Sequence, residues 1–210
     1  MVKSCLLFTD IKQSSNLWKT YGKKMNKALE KHNNQVNKLC KIYKGIIVKT
    51  IGDAYMISFT NIKNAVDFAY NICLLQKKEP VIVGNDDKIK IRIGICYGDV
   101  SIKKIKIQNK QLIDYFGPAV NMASRMESKV SDPEGFAISL HGEKKINSDI
   151  IKLLKSYPKL KYSLHSYSYS KCKDIKRSER LLSSEQIKCF NADELKGVGE
   201  VLAYKCYLTI

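Results

Sequence analysis

The sequence predicts an α+β domain built on a βαββαβ sheet, and three observations lead there. Apolar residues recur at helical spacing in two long stretches. Ile89, Ile91, Ile93 and Ile95 alternate with Lys90, Arg92 and Gly94, the two-residue period of a strand. Short apolar runs punctuated by glycine separate these elements. With 210 residues and 44% hydrophobic content, the chain can bury a substantial single core.

Residues 2–9 read as a buried strand. Apolar positions from Leu17, Tyr21 and Met25 through His32 and Val36 to Cys40 predict one long amphipathic helix. Two short strands, 46–51 and 54–59, flank a tight turn at Gly52-Asp53. A second helix spans about 61–77, with Ala65, Ala69 and Ile72 inward, and 80–88 reads as a polar loop. After the isoleucine strand, another strand follows Gly98. Gly117-Pro118 opens a helix, because proline suits the first helical position. A strand at 136–140, a helix at 143–154 and a terminal strand pair complete one domain over 1–210. The order is that of a ferredoxin-like sheet with helices packed on one face, plus a C-terminal strand pair. Residues 156–184 are rich in Ser, Tyr and Lys without sustained periodicity, which predicts a flexible insertion outside the core; binding to an acidic partner is the alternative.

The net charge of +17 invites a nucleic-acid or membrane-surface reading. Its 37 Lys and Arg are spread along the whole chain, however, which describes a solvated surface that would also welcome a nucleotide triphosphate. No strand carries the aromatic stacking motif of a nucleic-acid binder, so no nucleic-acid partner is expected. Seven cysteines form no Cys-x-x-Cys pair, and the three histidines have no metal-ligand spacing. Cys5, Cys96 and Cys206 fall in apolar runs and read as buried free thiols of a reducing, cytoplasmic setting. No apolar run reaches the ~20 residues of a membrane span. The first strand begins almost at Met1, so the chain reads as a domain of something larger, and membrane attachment would lie in segments outside it.

Asp10 closes the apolar run CLLFTDI, and Asp53 sits in the turn of VKTIGDAYMISF. A carboxylate where a buried strand surfaces is held rigidly yet reaches solvent. Two that converge suit hard divalent cations, and paired cations suit phosphoryl transfer. Taken singly, Asp10 reads equally as a helix N-cap and Asp53 as ordinary turn chemistry. Asn121 and Arg125, four apart on the helix after Gly117-Pro118, share a face, where an Arg fork can brace charge on phosphorus.

CLLFTDI, VKTIGDAYMI, IRIGICYGDV, IDYFGPAVNMASRMES and ELKGVGE occur in this order, and each resembles a signature of the class III nucleotidyl cyclase catalytic domain. The variants TDIKQSSNLW and DYFGPAVNMASR look most like protist adenylyl cyclases. The resemblance covers the chain except 156–184. It implies that Asp10, Asp53 and the backbone carbonyl of Ile11 hold Mg2+ or Mn2+, two ions per active site. It implies that Lys49 and Asp114 read the base, that Asn121 holds the ribose, that Arg125 stabilises the transition state, and that Lys196 grips the terminal phosphates. A lysine donor and an aspartate acceptor complement the edge of adenine and mismatch guanine, where guanylyl relatives usually carry Glu and Cys. Each residue alone also reads as surface: a strand lysine, a loop aspartate, a helix face, a hairpin lysine.

The implied reaction turns ATP into 3′,5′-cyclic AMP and pyrophosphate by in-line attack of the ribose 3′ hydroxyl. In this family one domain supplies the metal carboxylates and its partner supplies the base-reading and transition-state residues. All of them coexist in this chain, so a homodimer with two complete sites is expected, or a heterodimer with another cyclase domain. The rival readings are a silent cyclase-like module that dimerises and binds nucleotide, a guanylyl cyclase, and a nucleic-acid binder on the same sheet.

Overall fold

A computed structural model describes residues 1–108, 110–143, 145, 147–168, 186–195 and 199–209. The elements in order are β1 (Val2–Ile11), α1 (Ser14–Tyr21), α2 (Lys23–Ile42), β2 (Ile46–Ile51), β3 (Ala54–Phe59), α3 (Ile62–Lys78), β4 (Ile82–Gly84) and β5 (Asp87–Lys88). They continue with β6 (Ile91–Ile107), β7 (Lys110–Phe116), α4 (Pro118–Arg125), β8 (Gly135–Leu140), α5 (Ser148–Lys155), β9 (Leu160–Ser168), β10 (Ile187–Asn191) and β11 (Val201–Leu208). A π-helical turn, Met126–Val130, prolongs α4.

The main sheet runs β10-β9-β11-β8-β6-β1-β3-β2, and β7 pairs with the outer half of β6. Its antiparallel β6-β1-β3-β2 portion has the ferredoxin-like order, so the α+β reading stands. Alternation along β1 sends Cys5 and Leu7 to one layer and Leu6 to the other. The first layer is closed by α2, α3 and α5 through residues such as Val36, Ile72 and Leu154. The second is closed by α4 and its π-turn through Ala119, Met122, Ala123 and Met126. Helices therefore cover both faces rather than one. Each such buried Val, Ile, Leu or Met side chain contributes about 1.5–3 kcal/mol of gross stabilisation.

Local chemistry explains the other departures from expectation. The long helix breaks at Gly22, whose φ of 49° and ψ of −116° divide α1 from α2 without interrupting the apolar stripe. Residues 80–88 contain a small hairpin, because Asn85 and Asp86 both take left-handed φ (47° and 67°) between paired Gly84 and Asp87, as a two-residue primed turn requires. The expected insertion at 156–184 does not start at 156. Residues 160–168 form β9, which pairs with β11 from Leu160–Leu208 to Tyr167–Val201 and buries Tyr162, Leu164 and Tyr167. Residues 169–184 of that segment lie outside the described residues. Beyond β9, edge strand β10 is pinned by the Phe190 ring, which stacks on His165 at 4.9 Å and Tyr167 at 5.0 Å. Cys5, Cys96 and Cys206 are free and buried, as read. No helix among the described residues is long and apolar enough to cross a membrane.

Candidate active site

Two carboxylates converge where β1 ends. Asp10 is the penultimate residue of β1, and Asp53 lies in the β2–β3 turn, where Gly52 takes a φ of 63°. Asp53 Oδ1 accepts from Ser14 Oγ at 3.4 Å, while its Oδ2 is buried with no hydrogen-bond partner among the described residues. Burial raises the Asp53 carboxyl above its usual range; its own backbone N–H opposes this, and the neighbouring Asp10 charge adds to it. A shielded carboxylate oxygen beside a second carboxylate is the arrangement a divalent cation would relieve, so the donor set fits Mg2+ or Mn2+. Among the described residues no group of three or more His, Cys, Asp or Glu gathers. The helix-cap alternative for Asp10 falls away. The N-cap of α1 is Gln13, with no side-chain cap bond, and Asp10 is engaged elsewhere.

That engagement is with a residue the sequence did not flag. Arg92 faces Asp10 across the β1–β6 ladder, and its Nη2 donates to Asp10 Oδ2 at 2.6 Å. The same nitrogen lies 3.0 Å from Glu127 Oε1 on the π-turn. Glu127 is buried, and that burial pushes its carboxyl up to about 7, with Arg92 pulling the other way and Asp10 adding to the rise. In the sequence Arg92 looked like one polar beat of an alternating strand. Only the register with Asp10 gives it away.

Lys49 and Asp114 meet directly, Nζ to Oδ2 at 2.6 Å, one on β2 and the other on β7. The second oxygen of Asp114 accepts from the Tyr115 N–H at 2.8 Å, which fixes the carboxylate plane. The facing of Lys49 depends on a β-bulge. Ile47 pairs with Ile57 but Lys49 pairs with the adjacent Met56, so Val48 is the extra residue. Lys49 thereby shares the face of Met56 and Leu6, the layer that carries α4.

The side chains of Asn121 and Arg125 project from α4 and make no hydrogen bond or ion pair with any described residue; Asn121 is exposed and Arg125 half-buried. The helix comes this close to the sheet because β6 has Gly94. A Cβ there would collide with the backbone N of Glu127 and the carbonyl of Ala123. Lys196 lies outside the described residues. One chain thus brings together Asp10 with Asp53, and Lys49 with Asp114, and leaves Asn121 and Arg125 unengaged.

Comparison with known proteins bears on the family and the fold. Residues 2–147 match the family model described as the adenylate and guanylate cyclase catalytic domain. An adenylate cyclase of Neurospora crassa is 28% identical over 226 residues, covering 96% of this chain and 9% of that protein. One of Podospora anserina is 32% identical over 151 residues, covering 64% of this chain and 7% of that protein. The chain spans less than a tenth of the length of these two relatives. The guanylate cyclase domain of RhGC from Catenaria anguillulae, solved in complex with GTP, has a TM-score of 0.67 at 23% identity, covering 99% of this chain and 97% of that one. Adenylate cyclases from Trypanosoma brucei, solved in their monomeric state, give a TM-score of 0.64 at 19% identity, with 97% and 88% covered. At those identities the structures speak to the fold, and the family match speaks to descent. The carboxylate pair, the α4 motif and the ferredoxin-like sheet all fall within residues 2–147, and the chain belongs to the adenylate and guanylate cyclase catalytic domain family.

Proposed function

We propose that this domain is an adenylyl cyclase that converts ATP into 3′,5′-cyclic AMP and pyrophosphate in a cleft shared by two cyclase domains. The observation that carries the choice of ATP is the Lys49–Asp114 contact at 2.6 Å. Those two side chains, satisfied by each other without substrate, offer a donor and an acceptor side by side. That pattern complements the exocyclic amine and adjacent ring nitrogen of adenine.

Asp10, Asp53 and the Ile11 carbonyl would hold two Mg2+ or Mn2+ ions, which supply charge neutralisation and acidify the ribose 3′ hydroxyl. The hydroxyl oxygen forms a bond to the α-phosphorus, and the bond from that phosphorus to the bridging oxygen breaks. Pyrophosphate leaves with the bonding pair, and the hydroxyl proton passes to solvent. Arg125, free of ion pairs among the described residues, braces the charge that grows on phosphorus, and Asn121 holds the ribose. The N-terminus of α1, with no acidic residue in its first turn, suits the terminal phosphates, with Lys196 in the same role.

A second copy of the chain would complete the cleft. Ile102, Leu112, Ile113 and Phe116 on the β6–β7 hairpin are 40–53% exposed, and Ile46 and Ile51 on neighbouring β2 are exposed too. Apolar side chains gathered on one arm beside Lys49 and Asp114 suit an isologous dimer. The deciding experiment is product analysis with ATP and GTP offered separately, with Mn2+, over a range of protein concentrations. Cyclic AMP formed at a specific rate that rises with concentration supports the proposal. Preference for GTP, or no product from either, overturns it.

A further inference from the structure

Arg92 poses a question that the proposed mechanism leaves open. A guanidinium sits on a carboxylate assigned to a cation, and a second, buried carboxylate touches the same nitrogen. Nη2 is 2.6 Å from Asp10 Oδ2 and 3.0 Å from Glu127 Oε1. The two acids differ in access. The Asp10 side chain is 31% exposed and that of Glu127 is 10% exposed, so a cation arriving from solvent reaches Asp10 first. Both groups keep hydrogen-bonding capacity in hand: Arg92 Nε and Glu127 Oε1 are each buried with no hydrogen-bond partner among the described residues, so the 3.0 Å approach is an ion pair that can still tighten. The backbone of Glu127 is held. Its backbone N lies against Gly94 and its side chain is enclosed under the π-turn.

We propose that Glu127 is a positioning residue that takes over Arg92 when a divalent cation reaches Asp10. Arg92 guards the resting site by standing in for the missing positive charge, and Glu127 gives it a place to go. Without Glu127, the guanidinium has only Asp10 for a partner and competes with the incoming ion. Like charges near one carboxylate repel, so the ion and the guanidinium cannot share Asp10 at full strength. The inference rests on the reading of Asp10 as a cation ligand.

The test is Mn2+ affinity of the purified, nucleotide-free protein, read from the electron paramagnetic resonance of free Mn2+. The set is wild type, Glu127→Gln, Glu127→Asp, Arg92→Gln, the Arg92→Gln/Glu127→Gln double variant, and Asp10→Asn. Expected results are several-fold weaker binding for Glu127→Gln, near wild-type binding for Glu127→Asp, and tighter binding for Arg92→Gln. In the Arg92→Gln background, Glu127→Gln should change nothing, because its effect acts through the guanidinium. An equal loss in both backgrounds would make Glu127 a direct electrostatic contributor and overturn the proposal, as would no loss in either. Should Glu127→Gln fail to fold, Arg92→Gln alone decides: unchanged Mn2+ affinity sinks the guarding role. Asp10→Asn separates the two readings. If it binds Mn2+ like wild type, the assignment of Asp10 fails; if it loses Mn2+ while the Arg92 and Glu127 variants are inert, only this inference fails.

Discussion

Lys49 and Asp114, 65 residues apart in the chain, are brought to 2.6 Å by the adjacency of β2 and the β6–β7 hairpin. Neither has another side-chain partner among the described residues, so within the chain each charge is answered by the other, and on the proposed reading the pair stands preformed for a base. Replacing them together, Lys49→Glu with Asp114→Cys, should lower kcat/KM for ATP by ~10–100-fold and raise relative turnover of GTP. Competition kinetics with both nucleotides would show it. An unchanged ATP preference would mean that the base is read elsewhere.

Asp10→Asn and Asp53→Asn should each lower turnover by at least two orders of magnitude, by analogy with other electrostatic sites, while the fold persists. The two should part company in stability. Asp53 bears a shielded oxygen without a donor and a neighbouring like charge, so Asp53→Asn should raise Tm. Asp10→Asn breaks the contact with Arg92 and should not. Thermal melts of the two variants, side by side with assays, would reveal the trade.

Gly94→Ala should cost on the order of 1–3 kcal/mol or more, since the added carbon meets backbone atoms at Ala123 and Glu127 rather than a yielding side chain. The same displacement would carry Arg125 away from the cleft. Turnover should fall further than the stability loss explains at temperatures where the variant remains folded.

Acid sensitivity should trace in part to His32. It is fully buried between α2 and the sheet, its Nε2 has no partner among the described residues, and burial lowers its pKa to about 4. With the folded pKa below the unfolded value near 6.5, stability from the neutral ring is complete above about pH 6.5. It is lost as pH falls toward 4, by on the order of 3 kcal/mol. Denaturant melts at pH 7.5 and 4.5 should show a smaller drop in His32→Gln than in wild type. A residual drop is expected from His165, which burial also lowers to about 4.

Phe116→Glu and Leu112→Glu should shift the chain to monomer in sedimentation and abolish activity at low protein concentration. Mixing an Asp10→Asn chain with an Arg125→Ala chain should restore one working cleft per pair, giving activity that neither chain has alone. No recovery would argue against a shared site.

The sheet, both long helical stretches and the turns that carry the candidate site residues were legible because they rest on local signals: alternating isoleucines, 3–4 spacing, Gly52-Asp53 and Gly117-Pro118. What escaped was relational. Arg92 and Glu127 become interesting only through a cross-strand register and a helix packed on Gly94, neither of which a linear pattern encodes. β9 was mistaken for part of an insertion because, Leu164 apart, Tyr, Ser and His occupy its buried positions. α4 was expected on the same face as the other helices and packs on the opposite one; its apolar stripe announces burial but cannot say against which layer.

The extra residue in β2 has a consequence for how this surface tolerates change. Because Val48 sets two residues against one on β3, it acts as a phase shift in the pleat. Excising that single valine would let Ile47, Lys49 and Thr50 pair in regular succession with Ile57, Met56 and Tyr55, so Lys49 would keep its face and only the local kink would go. Straightening the strand with Val48 retained would instead set Val48 against Met56 and turn Lys49 to the other face, away from Asp114. The irregularity itself, more than the side chain at position 48, keeps the Lys49 ammonium on the Asp114 side.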